Sequence, residues 1–158
     1  NLTTTGNVTL GNGTGDSTVV SGTLAVQSTT DTSSKTTGAL TVSGGVGINK
    51  NLRVGQDIYA FSSSDRNLKD NITVIPNALD KVNALSGNTF TWKSTAVNYN
   101  SLHEGQDTGV IAQEVEALGL PGIATTRDDG TKAVRYERLV PVLIQAIKEL
   151  SAKVDALS

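Results

Sequence analysis

Apolar residues in the first 61 positions come in pairs with one polar or small residue between them, a pattern that leaves this segment without a core of its own. The pairs are Val8/Leu10, Leu24/Val26, Leu40/Val42, Val46/Ile48 and Leu52/Val54, with Ile58 following. Their starts lie 16 residues apart at 8, 24 and 40, then 6 apart at 40, 46, 52 and 58. Each pair reads as a very short strand by its period of two, and the Gly-rich gaps supply tight turns. Short strands at a fixed step describe a solenoid or an intertwined β-stalk, whose units bury apolar surface only against one another. A flexible Gly/Ser/Thr linker is the alternative, and residues 28–37 taken alone suggest it. The hexad persists through four units, which favours the ordered stalk.

Composition follows the same division. The 158 residues suffice for one ordinary domain or for a small domain with an extension. Hydrophobic residues make up 37% and aromatic residues 4%, both low for a globule of this size. The deficit lies in the first half, whose aromatics are Tyr59 and Phe61, and the first 63 residues carry 6 of the 28 charged side chains. Without Cys there is neither a disulfide framework nor a thiolate metal site, and the redox compartment stays open. A formal charge of −2 gives no electrostatic case for nucleic acid or an anionic membrane. No apolar run approaches the roughly 20 residues of a membrane span, and no signal peptide is visible. A start at Asn1 in place of Met reads as a fragment of something longer.

From residue 64 onward the pattern is that of an α+β domain. Asn77 is expected to cap a helix over Ala78 to Leu85, with Leu79, Val82 and Leu85 on one stripe. Gly87-Asn88 then turns into a strand on which Phe90 and Trp92 share a face. Residues 94–107, with the single histidine His103, read as exposed loop. Thr108 is expected to cap a second helix, from Gly109 or Val110 to Leu118, ended by Gly119 and Pro121. Asp128-Asp129-Gly130 signals a turn, Lys132 to Tyr136 a strand, and Glu137 to Leu157 a long helix. In that helix Val140, Leu143, Ile147, Leu150, Val154 and Leu157 repeat at spacings of 3, 4, 3, 4 and 3, a heptad seam. Pro141 is tolerable only in the first turn, which sets the start near Glu137 or Arg138. The same spacing fits one amphipathic helix packed on its own domain, and spacing alone does not separate the two. β-Branched residues at one seam position and Leu at the other locally favour a two-stranded association.

Ser64-Asp65-Arg66-Asn67-Leu68-Lys69 sits where the two kinds of sequence meet, and this serine, acid and lysine suggest a place where the chain cuts itself. A serine hydroxyl is a weak nucleophile until a base takes its proton. A lysine acts as that base only where burial or a nearby cation lowers its pKa. Residues five apart lie about 140° apart on a helix and on opposite faces of a strand. Ser64 and Lys69 therefore meet only if the chain bends between them, for which Arg66-Asn67 is suited, or if each lysine serves a neighbouring chain's serine. Arg66 also offers the positive charge. On chemistry alone, a solvated turn explains the same residues. Gln113 and Glu114 read either as catalytic or, as is commoner, as a helix's solvent face or trimer contacts. His103 with Glu104 and Asp107 gives weak grounds for a metal site, and no cofactor is expected. Gly44-Gly45-Val46-Gly47 is turn chemistry rather than a phosphate loop, since no Walker lysine follows.

The stretch Ser64-Asp65-x-x-Leu68-Lys69-x-Asn71-Ile72 resembles the opening motif of the endosialidase-type intramolecular chaperone family. These are C-terminal domains of phage tail spikes and tail fibres that release themselves by autoproteolysis. Three further stretches resemble the family in order. They are Phe90-x-Trp92, then Thr108-Gly109-Val110-Ile111-Ala112-Gln113-Glu114-Val115-Glu116, and the terminal helix from Tyr136-Glu137-x-Leu139-Val140-Pro141 to Lys148-Glu149-Leu150. The resemblance covers about residues 62–158. It implies a Ser–Lys dyad that cuts the bond before the serine once a trimer has folded: Ser64 the nucleophile, Lys69 its base, Ser63–Ser64 the scissile bond. Attack passes through an ester that water then hydrolyses. Ser62-Ser63-Ser64 offers neighbouring serines, and spacing to Asp65 and Lys69 selects Ser64. Asp65, Arg66, Asn71, Gln113 and Glu114 are candidates for supporting roles, Asp65 either orienting the lysine or shaping the turn. The trimer also comes from the resemblance, against the dimer-leaning seam.

The expected architecture is an N-terminal all-β intertwined stalk, like a triple-stranded β-helix, over residues 1–63. An α+β chaperone domain with a long C-terminal helix follows over residues 64–158, the whole a homotrimer. Winding chains that have little core of their own is slow and open to misregister. Removing the chaperone afterwards leaves the fibre behind a high unfolding barrier. Expected partners are the copies of the chain, upstream domains of the same fibre and, through the mature fibre, a host surface receptor; nucleic acid and a membrane span are not expected. The expected place is a virion tail fibre or spike, folded in the host cytoplasm, with the chaperone domain released after cleavage. A permanent, non-cleaving trimeric cap or receptor-binding tip is the alternative. A glycan-binding stalk is a third reading, against which the few aromatics argue.

Overall fold

A computed structural model of the chain describes residues 8–11, 13–98 and 103–157. It divides into two units, Asn1–Ser62 and Ser63–Ser158.

The described residues of the first unit form turns and bends, with neither helix nor strand among them. Polar side chains fold short pieces locally. The Thr37 hydroxyl accepts hydrogen bonds from Ser33 N and Ser34 N at 2.8 and 2.9 Å, and Thr37 N donates to the Ser34 carbonyl at 3.2 Å. The paired apolar residues, from Val8/Leu10 to Leu52/Val54 and Ile58, all stay exposed, as do Tyr59 and Phe61. The short strands expected at these pairs thus do not form within the single chain. A strand needs a neighbour to take its backbone N–H and C=O groups. Isolated two-residue apolar steps between glycines offer too little surface to hold one in place.

In the second unit, helix α1 spans Ala78–Asn83, two residues short of the Leu85 expected. Its cap differs from expectation as well. Asn77 takes a left-handed backbone at φ 52°, which Asn tolerates better than most residues, and its side chain makes no capping bond. The first two N–H groups of the helix, Ala78 N and Leu79 N, donate instead to Glu149 Oε1 and Oε2 at 3.0 and 2.8 Å. Strand β1, Asn88–Thr91, pairs antiparallel with β2, Gln106–Gly109, in the register Asn88↔Gly109 and Thr91↔Gln106. Thr108 therefore lies in a strand and does not cap a helix, and the expected loop 94–107 ends in that strand after a 3-10 turn at Ser94–Asn98. Residues 99–102 of that loop lie outside the described residues. The pairing with β1 occupies the Thr108 and Gly109 backbone, so helix α2 begins later and spans Ala112–Ala117. Gly109 fits because it has no side chain: a Cβ there would lie 2.5 Å from Tyr136 Oη. Gly119, at φ 67°, turns the chain after α2.

Strands β3, Ala124–Thr126, and β4, Lys132–Val134, form a second antiparallel pair, with Ala124↔Val134 and Thr126↔Lys132. Their turn is held by Asp129 Oδ1, which accepts from Thr131 N and Thr131 Oγ1 at 2.8 and 2.6 Å. The strand stops at Val134, before the expected Tyr136, because Tyr136–Leu139 is wound as a 3-10 turn. That turn leads into helix α3, Val140–Asp155, with Pro141 in its first turn. The core gathers Val115 of α2, Ile123 and Val142 of α3, ringed by Ile75, Val82, Leu85, Val110, Leu120, Ala124, Val134 and Leu139. Ala78 of α1 and Ala146 of α3 are also buried. Val142 and Ala146 thus face the domain, whereas Val140, Leu143, Ile144, Ile147, Leu150 and Val154 stay exposed. The heptad seam is not the face that α3 uses within its own domain. The second unit is a small α+β domain with a C-terminal helix, and no helix among the described residues is long and apolar enough to cross a membrane.

Candidate functional site

The chain bends between Ser64 and Lys69 through a three-residue 3-10 turn, Arg66–Leu68. Residues on both sides are extended, Asp65 at φ −62°, ψ 136° and Lys69 at φ −133°, ψ 130°. The turn is closed by Leu68 N donating to the Asp65 carbonyl at 3.2 Å and Lys69 N to the Arg66 carbonyl at 3.1 Å. Asp65 Oδ1 adds a third bond by accepting from Asn67 N at 2.8 Å. This reversal brings two side chains of one chain together. Lys69 Nζ lies 2.7 Å from Ser64 Oγ and donates at 3.1 Å to the carbonyl of the same serine. Both residues are exposed.

The arrangement has the distance that proton transfer between a hydroxyl and an amine requires. Ser64 Oγ is linked to the Ser63 carbonyl carbon through its own Cβ, Cα and N, so attack there closes a five-membered ring. No rearrangement of the fold is needed to bring that carbonyl near.

The supporting candidates fall in several places. Arg66 opens the turn and lends it a carbonyl. Asn71, like Asn77, has a left-handed backbone, at φ 51°. Glu114 of α2 is half-buried and accepts from Ser86 N at 2.8 Å and from Ser86 Oγ at 2.8 and 3.0 Å. It ties the α1–β1 connection to α2. Gln113 is exposed and borders a cleft shared with Trp92, His103, Arg127 and Lys132. His103 stacks on Trp92 with ring centres 3.9 Å apart, and Trp92 Nε1 donates to Asp107 Oδ2 at 3.1 Å. Phe90 meets Trp92 edge to face at 5.0 Å. The histidine and Asp107 are thus both engaged with the indole. Among the described residues, no three His, Cys, Asp or Glu side chains gather in a way that could hold a metal.

The residue that sequence reasoning missed is Glu149. Its carboxyl is held below the usual carboxylate range by the N–H groups of Leu79 first and Ala78 second. No local pattern announces this, because donor and acceptor are about 70 positions apart.

Residues 64–123 match a peptidase family described as chaperone of endosialidase. A long tail fiber protein of Salmonella phage S16 is 36% identical over 73 residues, which are 46% of this chain and 10% of that protein. The chain thus spans about a tenth of the length of that relative. Residues 64–123, a stretch whose first six residues hold Ser64 and Lys69 in contact, are thus similar to the chaperone-of-endosialidase family.

Proposed function

We propose that the chain is part of a phage tail fibre in which residues 64–158 fold and trimerise the fibre and then cut themselves free before Ser64. The observation that carries this reading is the 2.7 Å contact between Ser64 Oγ and Lys69 Nζ at the first residues of the family match. Lys69 takes the hydroxyl proton as Ser64 Oγ attacks the Ser63 carbonyl. The Ser63–Ser64 amide bond breaks as an ester forms on Oγ, and the proton passes to the freed Ser64 amine. Water then hydrolyses the ester, leaving a Ser63 carboxylate and the restored Ser64 hydroxyl.

A lysine accepts a proton only where its charged form is disfavoured by burial or a neighbouring cation, and the dyad is exposed in the single chain. Cover from neighbouring copies supplies that burial, which links cleavage to assembly. Two features support association of copies, the outward apolar face of α3 and the exposed apolar pairs before residue 62, and the number three rests on the resemblance to the family. Contiguous exposed apolar surface of this kind marks a protein contact. In this reading residues 1–63 are the stalk, whose short strands pair between chains.

Intact mass and N-terminal sequencing of the purified protein test the proposal. Cleavage replaces the 16.4 kDa chain with two fragments whose masses sum to it plus one water, the second beginning Ser64-Asp65-Arg66. Removing a general base typically costs about 10²- to 10⁴-fold. Ser64→Ala and Lys69→Ala should therefore leave the chain uncut and still assembled, and Lys69→Arg should fail with them because Arg does not give up its proton. A wild-type trimer that stays whole would make the domain a permanent cap.

A further inference from the structure

The dyad depends on a very small device. Six exposed residues outside the core cluster, Ser64 to Lys69, must hold a reversal long enough for an amine to meet a hydroxyl. Three-residue 3-10 turns have poor hydrogen-bond geometry and little cooperativity. Two backbone bonds close this one, and the third bond across it is the side chain of Asp65 accepting from Asn67 N at 2.8 Å. Among the described residues no ion pair joins Asp65 to Lys69 or Arg66, and the lysine's two hydrogen bonds both go to Ser64. Asp65 is thus engaged with the backbone of the turn and not with the reacting groups.

We infer that Asp65 is a positioning residue for the cleavage, holding the turn that delivers Lys69 to Ser64 by accepting a hydrogen bond rather than by its charge. The inference rests on the cleavage reading above and adds to it the part that Asp65 plays. An asparagine keeps the acceptor oxygen and forms the same side-chain turn, whereas an alanine removes it. A loosened turn lowers the fraction of chains in the competent geometry and the rate with it. The loss expected on removing a cap of this kind is about tenfold in rate, equal to about 1.4 kcal/mol.

The test compares the full chain with Asp65, Asp65→Asn and Asp65→Ala. Cleavage is followed by electrophoresis across pH. Asp65→Ala should cut about tenfold more slowly with an unchanged pH profile, and Asp65→Asn should restore the rate to within about twofold. An alanine variant that cuts at the wild-type rate overturns the inference. So does an asparagine variant as slow as alanine with a displaced pH profile, which would assign the effect to charge. A second measurement, deuterium exchange of the Asn67 amide in Ser64→Ala protein, does not depend on cutting. Exchange should be slow with Asp or Asn at position 65 and faster with Ala, and equal rates in all three overturn the inference. If wild-type protein never cuts while that amide is protected, the cleavage reading fails and the turn-holding role stands.

Discussion

Val46 and Val142 are the same side chain in two regions that use it differently. In the first unit Val46 is 66% exposed, and its neighbours in the apolar pairs are exposed as well. In the second unit Val142 is 1% exposed and meets Val115 and Ile123 at the centre of a core. The second unit joins residues far apart in sequence, as in the Glu149 bonds to α1, whereas the Ser33–Thr37 turn of the first is tied within four residues. One region therefore carries the information for its own fold, and the other carries apolar surface that its own chain leaves exposed. The exposed face of α3 shares the character of the first region although it belongs to the second.

The largest effect expected from breaking this contrast is on assembly. On the proposed trimer, Leu143→Asp or Ile147→Asp places a charge in a buried seam, which is prohibitive unless the charge is paired. Sedimentation should show monomers in place of trimers. Because both positions are exposed in the single chain, circular dichroism should retain the helical signal. A trimer that survives both substitutions would place the contact elsewhere.

A smaller effect tests the two valines directly. Val142→Ala removes buried methyl groups and leaves a cavity, so the second unit should lose about 2 kcal/mol by urea denaturation. Val46→Ala should change the stability of a dissociated chain by no more than about 0.5 kcal/mol, as at most surface positions. In assembled protein, the proposed stalk would bring Val46→Ala close to the cost of Val142→Ala. Equal, small costs in both states would mean that Val46 stays in solvent.

The smallest effect concerns pH. The Glu149 carboxyl lies below its ordinary value of 4.5 because Leu79 N and Ala78 N bind its charged form. A depressed folded pKa contributes stability that is present above the unfolded value and lost as pH falls through the folded one. Asp129 and Glu137 are lowered as well, Asp129 mainly by the Thr131 side-chain hydrogen bond and Glu137 mainly by a bond to its own backbone N–H, and act in the same direction. Denaturation midpoints should therefore fall below about pH 4.5, and less steeply in Glu149→Gln. Identical slopes would mean that the carboxylate is replaceable at the end of α1.

The likeness to the chaperone family over residues 64–123, the break in composition near residue 63 and the long helix with Pro141 in its first turn were legible because each is written in local residue order. The α+β character and the existence of α1 and β1 followed from periodicity. The cap of α1 was not legible: Asn77 is a capping residue by type, yet a carboxylate about 70 positions away took the role. Thr108 was misread for a related reason, since pairing with β1 overrode a local helix-start signal. The bend at Arg66–Leu68 was suggested by residue type, but the bond that holds it became visible only with the backbone in place.

The Glu149 carboxylate also imposes an order on synthesis. Helix α1 is translated early, but the acceptor for its first two N–H groups does not exist until the ribosome has passed residue 149. A chain terminated just before that point carries α1 with an open end and an α3 cut short. The helix near the start of the domain is thus finished by a residue near its end, and the domain closes only when almost all of it has been made.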